Sequence, residues 1–189
     1  GLGNPGDTYS STRHNVGFWT VDAVRRLCPD TIELKKPVFR PFLFGRGEAA
    51  ETPLVLAEPL TYMNRSGDAV PGILRKAKAA IGEILIVCDN MDLPPGELRF
   101  RRRGGSAGHK GMISIIDALG TEDFMRIFSG IGRPAAGVPV VDHVLGVPGP
   151  DEAALLEGAV AATAEGILRM STEGGERIMN ELNSRKADR

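Results

Sequence analysis

Apolar and polar positions along the chain fall into stretches with two different periods. In "VGFWTVDAVRRL" (16–27), Val16, Trp19 or Thr20, Ala23, Val24 and Leu27 share one helical face, with Asp22, Arg25 and Arg26 opposite. "SGDAVPGILRKAKAAIG" (66–82) predicts a second helix with Pro71 in its first turns, where a missing N–H is tolerated. "HKGMISIIDALG" (109–120) predicts a third, closed by Gly120. "PDEAALLEGAVAATAEGILRMS" (150–171) predicts a long amphipathic helix, with Asp151 and Glu152 suited to its positive end. "GGERIMNELNSRK" (174–186) predicts a last, shorter one. Strands read differently. "EILIVCD" (83–89) is a continuous apolar run bounded by acids, the pattern of a strand buried on both faces. "PLVLAEP" (53–59) is a short apolar run stopped by Pro59, and "FMRIFSGIG" (124–132) is a further strand candidate. "GELRFRR" (96–102) alternates Leu98 and Phe100 with Arg99 and Arg101, which predicts a half-buried strand. Strands alternating with helices, with no repeat and no low-complexity linker, imply one α/β domain over 1–189.

The 189 residues suffice for a full core, and 42% hydrophobic with 25% charged is ordinary for a globular protein. A formal net charge of −1 gives no sign of a nucleic-acid partner, so any sign must come from local clustering. Arg99, Arg101, Arg102, Arg103 and Lys110 supply +5 within 99–110 with no acid, beside a glycine loop. Such a patch suits a phosphate backbone at least as well as a solvated face, and Lys35, Lys36 and Arg40 are expected to extend it. Cys28 and Cys88 are too few for a disulfide framework and lack metal-ligand spacing; a buried free thiol at Cys88 fits a reducing cytoplasm. The absence of a run of about 18 apolar residues argues against a membrane-spanning helix, and no secretory signal stands at the front. The chain begins at Gly1 without Met, so a few absent residues, a first strand among them, are expected.

The opening "GLGNPG" satisfies G-x-G-x-x-G through Gly1, Gly3 and Gly6. A dinucleotide site needs a helix beginning at the third glycine and an acid about 20 residues on. Here Pro5 precedes Gly6, polar "DTYSST" follows, and the one acid at that spacing, Asp22, lies inside a helical pattern. A tight turn with Asn4 at its tip is the better reading. "RGGSAGHKG" (103–111) is not a P-loop either, since Gly111 rather than Ser or Thr follows Lys110. It still leads into a helix start, whose free N–H groups attract anions.

The three histidines differ in setting. His143, in "VVDHVLG", reads as structural. His109 stands at a helix start, where a cap and an RNA-facing position are equally open. His14, in "STRHNVGF", lies in the loop before the first helix, a common location for catalytic groups, although an ordinary loop histidine is the plainer reading. Asp89 changes the balance. It ends the buried strand, and α/β sheets place ligands at the carboxyl ends of strands. Asp92, ahead of "LPPG", suits a turn cap, which leaves Asp89 to hold an imidazole in one tautomer and stabilise its cation. A free imidazole titrates near pH ~6.5, so a carboxylate partner makes it a general base near neutrality. The chain has no H-E-x-x-H and no cysteine beside a marked base. Water activated by histidine fits better than covalent or zinc catalysis.

Together these pieces resemble bacterial-type peptidyl-tRNA hydrolases, over nearly the whole chain. "GLGNPGDTYSSTRHNVGF" looks like the family's N-terminal signature, "AEPLTYMNRSGDAV" its second block and "DNMDLPPGELRFRRRGGSAGHKG" its third, with "SGIGRP" and "MNELN" following in order. The resemblance implies a three-layer sandwich, a mixed sheet flanked by helices, whose usual first strand would precede "GLGNPG". It implies a cytoplasmic monomer without metal or organic cofactor, cleaving the ester between a peptide and the 3′ end of tRNA. By motif, His14 would activate water and Asp89 orient it; Asn4 would contact the peptide's blocked first unit. Tyr9, Tyr62 and Asn64 would line the cleft for the tRNA terminus, with Met63 packed beside them. His109 and Lys110 would face the substrate, and Arg99 and Arg101 would approach acceptor-stem phosphates.

Three departures from the family pattern stand out. Lys110 replaces the asparagine of "GHNG", keeping a donor but losing an acceptor. Cys88 stands where a polar residue, often His, precedes the acid, and Phe128 stands at a frequently basic position, removing one expected tRNA contact. Two other readings compete: a non-catalytic RNA-binding relative, disfavoured by retention of both His14 and Asp89, and a nucleotide-dependent α/β enzyme.

Overall fold

The apolar run before Asp89 forms a central strand, and the rest of the chain is laid out around it. The computed structural model describes residues 1–28 and 32–185. In chain order it contains α1 (Val16–Leu27), β1 (Phe42–Ala49), β2 (Thr52–Pro59), α2 (Val70–Ala77), β3 (Leu85–Asn90) and β4 (Leu98–Arg101). There follow α3 (Lys110–Leu119), β5 (Met125–Gly130), α4 (Val140–Val144), α5 (Pro150–Glu173) and α6 (Gly175–Ser184). β3 runs parallel to β5, which pairs antiparallel with β4, in the order β3-β5-β4. β1 and β2 form an antiparallel hairpin from Phe42↔Pro59 to Ala49↔Thr52. The opening residues bridge the two sheets: the Gly1 amine donates to Ala57 O (3.1 Å) and Leu2 N to Val87 O (2.9 Å). Gly17 permits this approach, because a Cβ there would lie 2.4 Å from Leu2 and Val87 backbone atoms.

Helices cover both faces, giving an α/β three-layer arrangement with a mixed sheet. On one side Ile86, Cys88 and Phe128 pack with Met112 and Ile115 of α3 and Val70 of α2. On the other, Val87, Leu98, Phe100 and Ile127 pack with Ala159 of α5 and with Ile178 and Leu182 of α6. α1 lies against α5 through Val24, Val160 and Ala164. Among the described residues no helix is long and apolar enough to cross a membrane.

Three elements depart from the sequence-based expectation. β1 was not expected: Gly45 and Gly47 interrupt its pattern, and its turn residues Ala50 and Glu51 are not the usual Asn-Gly or Asp-Gly. The helix expected over 66–82 narrows to α2, because Lys78 turns left-handed (φ 59°) and 63–68 winds as 3₁₀ turns docked on α3 through Gly67 N to Ser114 Oγ (3.0 Å). Helix α4 is a single short turn with no periodic signal of its own. The last helix ends at Ser184, with Arg185 extended, short of the expected 186, a residue that itself lies outside the described ones. The opening motif ends in a turn, with Gly6 at φ 100° and a 3₁₀ segment after it rather than a helix, so the dinucleotide reading lacks its helix N-terminus.

Ala50 and Glu51 both hold positive φ (47° and 65°), as a two-residue type I′ hairpin requires. Since a side chain costs roughly 1–2 kcal/mol in that region, replacing the pair by Asn-Gly should stabilise the chain by about that amount, read as a higher urea midpoint at unchanged m-value.

Candidate active site

Asp89 ends β3 with only 2% of its surface exposed. Its Oδ1 lies 2.7 Å from His14 Nδ1 and 3.1 Å from His109 Nε2. His109 is the N-cap of α3, its Nδ1 accepting the Met112 N–H at 3.2 Å. That bond fixes its tautomer: Nδ1 must be bare, so Nε2 carries the proton that Asp89 receives. His14 presents its own Nδ1–H to the same oxygen, which leaves Nε2 with a free lone pair. Burial alone would push the Asp89 carboxyl up, but His109 and His14 outweigh it and hold the acid well below the usual carboxylate range. Asp89 is therefore an anion at any physiological pH.

His14 is placed by its neighbours on either side. Arg13 grips Glu152 of α5 with Nε (2.6 Å) and Nη2 (2.5 Å) and donates from Nη1 to His143 O (3.1 Å). Asn15 clamps the opening turn from the other side, its Oδ1 accepting Asn4 N (2.9 Å) and its Nδ2 donating to Asn4 O (3.0 Å). Asn4 Oδ1 in turn accepts Met63 N (2.8 Å), so its amide hydrogens remain for a substrate. Beneath the glycine loop, fully buried Arg126 donates to Gly105, Glu122 and Phe124 carbonyls and stacks 4.2 Å over the Phe124 ring, which pins the approach to His109.

These groups line a cavity of about 340 Å³, a size suited to a bound small group. Nine expected site residues line it: Asn4, Tyr9, His14, Tyr62, Met63, Asn64, Asp89, His109 and Lys110. Tyr9 and Tyr62 meet edge to face at 6.5 Å, and Val140, Val141, Val144 and Leu145 form an apolar wall. His14, Asp89 and His109 also bring their ligating atoms within 4.8 Å of one another, close enough to surround a metal ion. Binding one through His109 Nε2 would push its proton onto Nδ1, against the Met112 N–H, so the trio fits proton handling better than metal ligation.

A profile described as peptidyl-tRNA hydrolase matches residues 1–189. The peptidyl-tRNA hydrolase of Geobacillus kaustophilus (strain HTA426) is 42% identical over 183 residues, 97% of each chain. That of Symbiobacterium thermophilum (strain DSM 24528 / JCM 14929 / IAM 14863 / T) is 43% identical over 188 residues, again 97% of each. The crystal structure of the Acinetobacter baumannii peptidyl-tRNA hydrolase superposes with a TM-score of 0.92 at 34% identity, covering 100% of this chain and 94% of the other. This chain belongs to the peptidyl-tRNA hydrolase family.

The structure also places the other residues the sequence singled out, some as expected and some not. His109 is a cap and a partner of Asp89, so its imidazole nitrogens are spent inside the protein. Phe128 is 5% exposed and faces the core with Cys88, so the position offers no surface for RNA. Burial pushes the Cys88 thiol up, which keeps it an inert packing group. Arg99 and Arg101 lie on β4, outside the cavity lining. Lys35, Lys36 and Arg40 flank β1, at the opposite edge from β4, so they do not extend the Arg99–Lys110 patch. Asn90 rather than Asp92 caps the turn after β3, accepting Asp92 N at 2.6 Å, while Asp92 pairs with Arg133. His143 is structural as expected, its Nε2 lying 3.0 Å from Gly132 O.

The double duty of His109 separates two variants. His109→Asn keeps a capping oxygen but is too short for Asp89, so it should melt near the wild type while kcat falls roughly tenfold. His109→Ala loses the cap as well and should cost about 1 kcal/mol more in urea unfolding.

Proposed function

We propose that the chain hydrolyses peptidyl-tRNA, cutting the ester between the peptide and the 3′ oxygen of the terminal nucleotide. The observation that carries this reading is the 2.7 Å contact of His14 Nδ1 with a buried, ionised Asp89 at the floor of the cavity. With Nδ1–H held by the carboxylate, Nε2 of His14 takes a proton from water as that water attacks the ester carbonyl. Asp89 stabilises the imidazolium so formed, which then protonates the departing 3′ oxygen, so the proton returns and no cofactor is consumed. The amide of Asn4 donates to the first peptide unit beyond the ester, a contact that a free amino group would not reward. Asn64 and the Lys110 ammonium supply donors for negative charge developing on the carbonyl oxygen. An ester is reactive enough for this modest set.

The β4 arginines approach the acceptor stem and Tyr9 and Tyr62 flank its 3′ end, while the apolar wall from α4 takes the peptide side chain. His14, Asp89 and the cavity lie within residues 1–189, so one domain suffices for the chemistry; that chemistry suits the cytoplasm, where peptidyl-tRNA forms. Retention of the His14–Asp89 pair supports catalysis over RNA binding alone.

Hydrolysis of an N-acetylated aminoacyl-tRNA, beside its unblocked counterpart, tests the reading. The blocked ester should be cleaved much faster, and His14→Ala should lower kcat roughly 10³-fold. Failure of wild-type protein to release tRNA, or full activity of His14→Ala, would overturn it. If Lys110 meets a phosphate, Lys110→Asn should weaken tRNA binding several-fold at low salt and flatten the log K against log salt slope by about 0.7–0.9.

A further inference from the structure

The turn at 37–40 breaks two local rules at one residue. Phe39 is 99% exposed, with Val38 beside it at 77%, and Phe39 also sits at φ 56°, a region that favours glycine or asparagine. The turn is closed by Arg40 N donating to Pro37 O (3.1 Å). It joins Lys35, paired with Phe44 in both directions (3.1 and 3.0 Å), to the start of β1, so its tip projects beyond the sheet. Among the described residues nothing repays an aromatic ring displayed this way, and such violations gather at functional positions.

The direction of the tip matters. β2 runs toward the active site, and its last residue, Pro59, pairs with Phe42. Leu60 N donates to Pro41 O (2.7 Å), one step further along, and Tyr62 of the cavity wall follows two residues later. The turn therefore stands at the same end of the sheet as Asn4 and Asp89, and three strand spacings, about 14 Å, separate the β1 axis from that of β3. The tip is basic as well. Lys35 is paired with Glu33 (2.7 Å), while Lys36 and Arg40 are exposed and have no acidic partner among the described residues.

We propose that this turn is a second RNA contact, in which an unpaired nucleotide near the 3′ end of the tRNA stacks on Phe39 while Lys36 and Arg40 meet its phosphates. A displayed ring between cations is the arrangement that holds single-stranded nucleic acid without reading its sequence. The proposal rests on the peptidyl-tRNA reading above. It places contacts on both sides of the cleft, with the β4 arginines at the far edge of the sheet, and so adds to rather than repeats them.

Steady-state kinetics on two substrates tests it: an N-acetylated aminoacyl-tRNA, and the same acyl group on adenosine alone, which is too short to reach the turn. Phe39→Gly should raise KM for the tRNA substrate roughly tenfold with kcat unchanged, and leave both constants for the adenosine ester alone. Its melting temperature should match or exceed the wild type, since glycine accepts φ 56° without strain. Phe39→Trp should keep the wild-type KM. Lys36→Ser with Arg40→Ser should reduce the salt slope of tRNA binding by about 1.4. An unchanged KM for tRNA in Phe39→Gly, or a parallel rise for both substrates, would overturn the proposal, the second outcome marking the ring as support for the cleft. Direct binding of uncharged tRNA, intact and stripped of its unpaired 3′ nucleotides, keeps the two readings apart. If wild-type protein cleaves neither ester, the hydrolase reading fails, while a loss of affinity in Phe39→Gly confined to the intact tRNA still supports the stacking contact. Equal affinity of both proteins for intact tRNA overturns it, and sedimentation would then show whether the ring serves a second copy of the chain.

Discussion

Asp89 Oδ1 accepts from two imidazoles, at 2.7 and 3.1 Å, and a carboxylate buried this deeply would otherwise be driven to its neutral form. Three separate pieces of chain must end at that oxygen. β3 delivers the acid, the 3₁₀ turn ahead of α1 delivers His14, and the first turn of α3 delivers His109. Much of the remaining structure can be understood as holding those ends still. Gly17 lets the opening residues press between α1 and β3, Arg126 fixes the loop that leads into α3, and Arg13 ties the His14 turn to α5.

The two histidines are chemically unequal although they share one acceptor. His109 has both nitrogens committed, one to a backbone N–H and one to Asp89, so taking up a second proton would cost it the helix cap. His14 has only Nδ1 committed and keeps Nε2 for exchange. Both imidazoles thus hold the charge on Asp89, and only His14 has a ring nitrogen left over. The cleft wall follows the same economy. Asn15 spends both side-chain polar atoms on the backbone of Asn4, and Asn4 spends its oxygen on Met63 N, so one amide group is left facing the cavity in a fixed direction. A group held that way loses little freedom when a substrate arrives.

The sequence carried the strands and helices whose signal is local: the apolar run before Asp89, the caps around 110–119 and the period of 150–171 all lie where pattern and propensity agree. It also singled out His14 and Asp89, whose side chains the fold brings to 2.7 Å, because a loop histidine and a strand-end acid are recognisable one at a time and the family's blocks tie them together. What it did not carry depends on three-dimensional neighbours. β1 has two glycines and an Ala-Glu turn, and only its pairing with β2 makes it a strand. Asn15 stands at the N-cap of α1, yet it makes no cap bond and reaches back eleven residues to Asn4. His109 could be a cap or an RNA contact on sequence grounds, and only the position of Asp89 shows that its second nitrogen is occupied. Charge clustering misled in one respect: Lys36 and Arg99 belong to patches of the same sign, but Lys36 adjoins the β1-β2 hairpin while Arg99 lies on β4, the outer strand of the other sheet, with the opening residues between them.

The departures at 88 and 128 look like two independent losses when read along the chain. Cys88 and Phe128 are in fact register partners on neighbouring parallel strands and members of one core cluster with Leu2, Met63 and Met112. Two apolar side chains facing each other across neighbouring strands leave no polar group to satisfy there, and both are buried, so neither belongs to the exposed surface. Both side chains lie on the opposite face of the sheet from the Asp89 side chain, one residue away on β3, so the exchange alters the packing behind the acid and leaves its two hydrogen bonds intact. The geometry around Asp89 can tolerate such a change because the acid is held by His14 and His109, ahead of α1 and α3, rather than by the strand residues beside it.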